Sequence, residues 1–242
     1  MPAFPLSERE ASVRDKAVMD QSFDIWISYG YGALRSLRKG ALMAILTTGA
    51  VNAETKIIAI LGDSLVQGYG LPIDQGLVPQ LQAWLDAQGA DLKIINAGVS
   101  GDTTAGGLSR VEWTLSEDLD AMIVALGGND FLRGIPPEVS RSNLKGIVET
   151  AQLAGVETMI VALEASSNYG PDFKVAFDSM YSDIALEYDA SLYPGFFNAI
   201  FDAGEDDWLT YMQNDGIHPN AQGVSLIVNN FGPFILEWMK SN

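Results

Sequence analysis

The chain has 242 residues, 48% of them hydrophobic, enough to bury one sizeable core, and it reads as one domain with an extension. Its 31 acidic residues outweigh 14 basic ones, for a net charge of −17; an excess of that sign repels phosphate backbones and anionic lipid surfaces, which argues against nucleic acid as a partner. There is no cysteine, so disulfides, zinc–thiolate sites and cysteine nucleophiles are excluded together, and covalent catalysis would have to use another residue.

Residues 1–53 read as an N-terminal extension. Within it, residues 34–53 follow the three-part order of a signal peptide: a basic cluster (Arg35, Arg38, Lys39), an apolar run from 41 to 51, then Val51 and Ala53 at the small-residue positions before a cleavage site. On that reading the domain begins at residue 54 and the protein is periplasmic or secreted; otherwise it is cytoplasmic. The competing reading is an ordinary amphipathic helix and tail. About 34 residues precede the basic cluster, more than a simple n-region holds, which leads to the expectation that translation starts downstream. The apolar run is too short for a membrane span of about 20 residues, so stable membrane insertion is not expected.

From Lys56 onward, short apolar runs alternate with longer helix-period segments, the pattern of a parallel sheet with crossover helices. Strands are expected at 57–61, 92–96, 121–126, 158–163 and, more weakly, 190–193. The runs are nearly continuous in apolar residues, as in strands covered on both faces. Helices are expected at 77–88, 103–117, 138–154, 173–188 and 220–239. The expected fold class is therefore α/β, a three-layer α/β/α sandwich with a five-stranded parallel sheet of flavodoxin-like type over residues 54–242. Ligands in such folds sit beyond the carboxyl ends of the strands. The acidic run 202–207 reads as a solvated loop without the ligand spacing of a calcium site.

The first post-strand loop holds Gly62-Asp63-Ser64-Leu65, which would place a hydroxyl at the sheet edge with free N–H groups of a starting helix beside it. Serine in such a turn is more often a simple helix cap. The only histidine, His218, stands in Asp215-Gly216-Ile217-His218-Pro219-Asn220. A carboxylate three residues earlier can accept the Nδ1–H and leave Nε2 as a base. Two further loops, Asn96 to Thr103 and Gly127-Gly128-Asn129-Asp130, offer amide donors for an oxyanion, although turns and helix caps explain each of them separately.

Together, in this order and each after a strand, these blocks resemble the SGNH (GDSL) hydrolases, closest to the group of bacterial arylesterases, acyl-CoA thioesterases and lysophospholipases. The resemblance implies Ser64 as nucleophile, Asp215 and His218 as the rest of a triad, and an oxyanion hole from the Ser64 and Gly101 N–H groups with the Asn129 side chain. It further implies an acyl-binding loop from Phe131 to Pro137, including Leu132, Arg133, Ile135 and Pro136, and a second pocket motif at Asn168-Tyr169-Gly170. That motif departs from the family pattern, with Ser166 and Ser167 where proline is usual, which puts the pocket's shape in doubt. The implied substrate is a small acyl ester or thioester, with no metal or organic cofactor required. The alternatives are carbohydrate deacetylation by the same family and a non-catalytic flavodoxin-like binding module. The module lacks any phosphate-cradling glycine motif, and the classical Gly-x-Ser-x-Gly elbow is broken by Val66. Sequence leaves the oligomeric state and acyl-chain preference open.

Overall fold

The computed structural model describes residues 54–115, 118–203 and 207–241. The extension 1–53, with its signal-like segment, lies outside them. In chain order the elements are β1 (Lys56–Gly62), α1 (Ser64–Gln67), α2 (Leu77–Ala87), β2 (Leu92–Gly98), α3 (Thr104–Thr114), β3 (Ala121–Ala125), α4 (Gly128–Leu132), α5 (Pro137–Leu153), β4 (Glu157–Val161), α6 (Pro171–Glu187), β5 (Ser191–Tyr193), α7 (Asn198–Ala203) and α8 (Ala221–Ser241). Turns of 3-10 helix lie at Ile73–Gln75, Ser167–Tyr169 and Trp208–Tyr211. Each expected strand and helix is present, with ends shifted by a few residues.

The boundary shifts have local causes. Helices α5 and α6 start at Pro137 and Pro171, one and two residues earlier than the apolar pattern suggests. Proline suits the first helical turn because its missing N–H would have no partner there. Strand β3 stops at Ala125 because Gly127, at φ +123°, turns the chain into α4, a short helix that the apolar pattern does not foresee. Helix α7 is likewise unforeseen, and Asp202 of the acidic run falls inside it; Asp202 and Asp207 are exposed.

All five strands are parallel, in the order β2-β1-β3-β4-β5. Parallel strands have to be covered on both faces, and side chains alternate between two cores accordingly. Ile58, Ile60, Ile123, Met159 and Val161 pack with Leu81 and Leu85 of α2 and with Ile227, Phe231 and Ile235 of α8. Their neighbours Leu61, Met122, Val124 and Ile160 point the other way, onto Val111 of α3, Leu144 and Ile147 of α5, and Phe177 and Ile184 of α6. The result is an α/β/α sandwich.

The strand order positions the site. Because β1 lies between β2 and β3, the loops following these three strands emerge side by side at one edge, at the point where the connections reverse direction. Gly62 and Gly98 are paired across β1 and β2, and the approach there is close. A Cβ on Gly98 would lie 2.3 Å from the Gln67 nitrogen and 2.9 Å from the Asp63 carbonyl oxygen, both backbone atoms that cannot swing aside. Gly98→Ala is therefore expected to destabilise the domain by about 1–3 kcal/mol and to lower turnover by displacing the 63–67 turn. Urea unfolding together with initial-rate measurements checks both effects.

Candidate active site

The turn after β1 is built by Asp63. Its carboxylate accepts the Leu65 N–H at 3.1 Å and so caps α1, a four-residue helix whose first residue is Ser64. Ser64 is only 9% exposed. Burial raises the Asp63 carboxyl above its ordinary value near 3.8, against the opposing pull of the Leu65 N–H, of charge on His218 and of the Asn129 amide.

The loop before α8 brings the histidine to this serine. Asp215 Oδ1 accepts the backbone N–H groups of Ile217 at 2.9 Å and His218 at 3.0 Å, a tight turn that Gly216 permits at φ +66°. The other oxygen, Oδ2, lies 2.7 Å from His218 Nδ1. An ionised carboxylate can only accept, so Nδ1 carries the hydrogen, leaving Nε2 as an acceptor. Nε2 is 2.7 Å from Ser64 Oγ, whose hydroxyl donates to it. The Tyr69 ring covers the imidazole, with centroids 4.7 Å apart. The Gln213 amide straps the two segments together by donating to the Tyr69 carbonyl at 2.8 Å and the Pro219 carbonyl at 3.0 Å.

The two other loops close on the same place. The Asn129 side-chain amide donates to Asp63 Oδ2 at 3.4 Å. Gly101 sits at φ +83°, in the loop that starts where the Val99 N–H donates to the Gly62 carbonyl at 3.0 Å. Both loops are anchored from behind by α3. Arg110 gives one hydrogen bond each to Asp102 Oδ2 (2.7 Å), the Ala97 carbonyl (2.8 Å) and the Gly62 carbonyl (2.9 Å). Asp130, fully buried, accepts from the Thr104 N–H (2.8 Å), the Thr104 hydroxyl (2.5 Å) and the Ser140 hydroxyl (2.9 Å). It caps α3, an earlier helix, whereas local reasoning looks to the helix that follows.

The residues expected to line an acyl pocket are only partly gathered. Phe131 meets the Tyr169 ring edge-on at 5.8 Å, Tyr169 packs on Phe173 at 4.9 Å, and Gly134 leaves just enough room for the Tyr169 ring. Arg133 reaches the Gly101 carbonyl at 2.8 Å. Leu132 and Asn168 are exposed, Ile135 is half-buried, and Pro136 serves as the N-cap of α5. On the Asp215 flank lies an open concavity of about 610 Å³, lined by Tyr69, Gln213, Asn214, Asp215 and Asn220 among others. Among the described residues no group of three or more His, Asp or Glu side chains is arranged to hold a metal ion, and no helix is long and apolar enough to cross a membrane.

Comparison with known proteins decides the family. Residues 60–226 match the GDSL-like lipase/acylhydrolase family. The chain belongs to this family. Esterase TesA of Pseudomonas aeruginosa is 35% identical over 198 residues, 81% of this chain and 95% of its own. The thioesterase 1/protease 1/lysophospholipase L1 of Escherichia coli is 33% identical over 81% of this chain and 86% of its own. Among solved structures, the psychrotrophic esterase EstA from Pseudoalteromonas superposes with a TM-score of 0.71 at 33% identity, covering 76% of this chain and 99% of its own.

Three polar residues of this GDSL hydrolase site escape sequence reading, Tyr69, Arg110 and Gln213, and Asp130 is read there only as a cap of the helix that follows it. The acidic step three residues before the histidine does leave a measurable trace. Desolvation pushes the Asp215 carboxyl upward, but the hydrogen bonds from the His218 and Ile217 backbones and the His218 ring outweigh it and hold the group at about 2. A carboxyl depressed in the folded state stabilises the fold above its unfolded value, and that contribution is lost as pH falls through the folded one. Wild-type stability should therefore decline between about pH 4 and pH 2 in part through this group. Asp215→Asn should flatten that portion of the acid-unfolding curve, read by circular dichroism against pH.

Proposed function

We propose that this ester hydrolase works through Ser64 as nucleophile, His218 as general base and then acid, and Asp215 as the group that orients the imidazole. The observation that carries the reading is the unbroken chain of short contacts, Ser64 Oγ to His218 Nε2 at 2.7 Å and Nδ1 to Asp215 Oδ2 at 2.7 Å. Ser64 Oγ attacks the acyl carbonyl while its proton passes to Nε2; the resulting imidazolium is stabilised by the Asp215 carboxylate. The proton then moves to the leaving alcohol or thiol as its bond to the acyl carbon breaks. Water, deprotonated by the same nitrogen, releases the acid and restores Ser64.

The negative charge that develops on the carbonyl oxygen falls to the Ser64 and Gly101 N–H groups and the Asn129 amide. The shared edge of β1, β2 and β3, where all three emerge, supports this assignment. The substrate is a small carboxylic ester or acyl thioester, a reading supported by the relatives named esterase and thioesterase. Phe131, Tyr169 and Phe173 form the apolar surface on which its acyl chain rests, with Leu132, Ile135, Pro136 and Asn168 at its rim. The domain spans residues 54–242, and residues 34–53 act as an export signal, which places the mature enzyme in the periplasm or outside the cell. Mass spectrometry of the mature N-terminus is expected to find residue 54 first; retention of residues 1–53 would refute export.

Ser64→Ala is expected to lower kcat on p-nitrophenyl esters and acyl thioesters by about 10⁴-fold or more. Asn129→Ala should lower kcat by roughly 10²- to 10³-fold with a smaller change in KM. Steady-state kinetics on folded variants reads both. Turnover retained without the Ser64 hydroxyl would remove the nucleophile assignment.

A further inference from the structure

Of the three arginines among the described residues, Arg110 is paired with Asp102 and Arg141 with Asp183. The third, Arg133, has no carboxylate partner among the described residues. It is exposed, and its one guanidinium hydrogen bond among the described residues runs from Nη2 to the Gly101 carbonyl at 2.8 Å. Gly101 supplies one of the proposed oxyanion donors, so a single peptide residue separates this cation from the reacting carbonyl. Arg110 neutralises Asp102 next to it, so no adjacent carboxylate cancels the Arg133 charge. In a chain carrying −17, an unpaired guanidinium at the mouth of the site stands against the surrounding field, and most of its donor fork is left free.

We propose that Arg133 is a subsite for an anionic leaving group, selecting acyl esters that carry a phosphate close to the scissile bond. The inference rests on the proposed oxyanion role of Gly101 and deepens it. Geometry chooses between two phosphate-bearing classes. In a 1-acylglycerol 3-phosphate the phosphorus lies about six bonds from the acyl carbon, within roughly 6–8 Å by standard bond lengths. In an acyl-CoA the first phosphorus is about fourteen bonds away, beyond a side chain held against Gly101. The guanidinium fork fits phosphate oxygens in a paired geometry that an ammonium lacks.

Two substrate pairs test this, each matched in its reacting bond and differing in charge: 1-hexanoylglycerol with its 3-phosphate, and the hexanoyl thioester of N-acetylcysteamine with hexanoyl-CoA. The reading is the ratio of kcat/KM, anionic over neutral, within each pair. Arg133→Gln is expected to lower the glycerol-pair ratio about three- to fivefold, the size of an exposed ion-pair contribution, while the thioester-pair ratio stays constant. Arg133→Lys, which keeps the charge without the fork, should give a glycerol-pair ratio between those of the wild type and Arg133→Gln. Added salt should narrow the difference in that ratio between the wild type and Arg133→Gln. An unchanged glycerol-pair ratio in Arg133→Gln overturns the proposal, and so does an equal fall in both pairs, which would mean long-range attraction rather than a local subsite. Ser64→Ala run on all four substrates separates the two readings: activity surviving there sinks the nucleophile assignment, whatever the ratios show.

Discussion

An imidazole can take a proton from a serine only if its other nitrogen is already committed as a donor, and in this molecule Asp215 makes that commitment. The arrangement is local. One carboxylate oxygen holds the ring nitrogen at 2.7 Å while the other gathers two backbone N–H groups of the same turn. The ring therefore has little freedom to rotate, and the free nitrogen points where the Ser64 hydroxyl stands. If that turn were looser, the proposed base would lose both its tautomer and its aim.

A fixed histidine loop is useful only if the serine turn is equally fixed relative to it, and here the rigidity comes from polar side chains spanning between loops. Gln213 ties the segment after α1 to the segment before α8. Arg110 holds the ends of β1 and β2 and Asp102 of the loop that follows with one guanidinium, and Asp130 locks the segment bearing Asn129 onto the start of α3. Loops have few packing contacts of their own. Their geometry depends on such bonds, and a displacement of about 1 Å at a reacting centre is enough to cost a large factor in rate.

The same contacts bear on how so acidic a chain would accommodate the anionic intermediate of the proposed mechanism. The carboxylates nearest the site are engaged: Asp63 with the Leu65 N–H and the Asn129 amide, Asp102 with Arg110, Asp130 with Thr104 and Ser140, and Asp215 with His218 and its own turn. Each has its charge directed at a donor group. The remaining excess charge is spread over the surface and falls off within about a Debye length.

The layer architecture was legible in the chain because apolar runs such as Ile57 to Leu61 and Met122 to Ala125 have only one way to hide both faces, between two layers of helices. The Gly62 to Leu65, Asn129 and Asp215 to His218 blocks were legible because they are contiguous and each follows a strand or precedes a helix. Short α4 and α7 were not, since neither is long enough to show a helical period. Nor were Tyr69, Arg110 and Gln213, or the role of Asp130 at the start of α3, since these side chains mean nothing until partners elsewhere in the chain are known to be adjacent. Residue types and spacing thus determined which strands and helices form and which chemistry-bearing groups exist. Only the tertiary structure decided that Ser64 and His218 meet at hydrogen-bond distance, because side-chain contacts between distant segments depend on strand order, which no local pattern encodes.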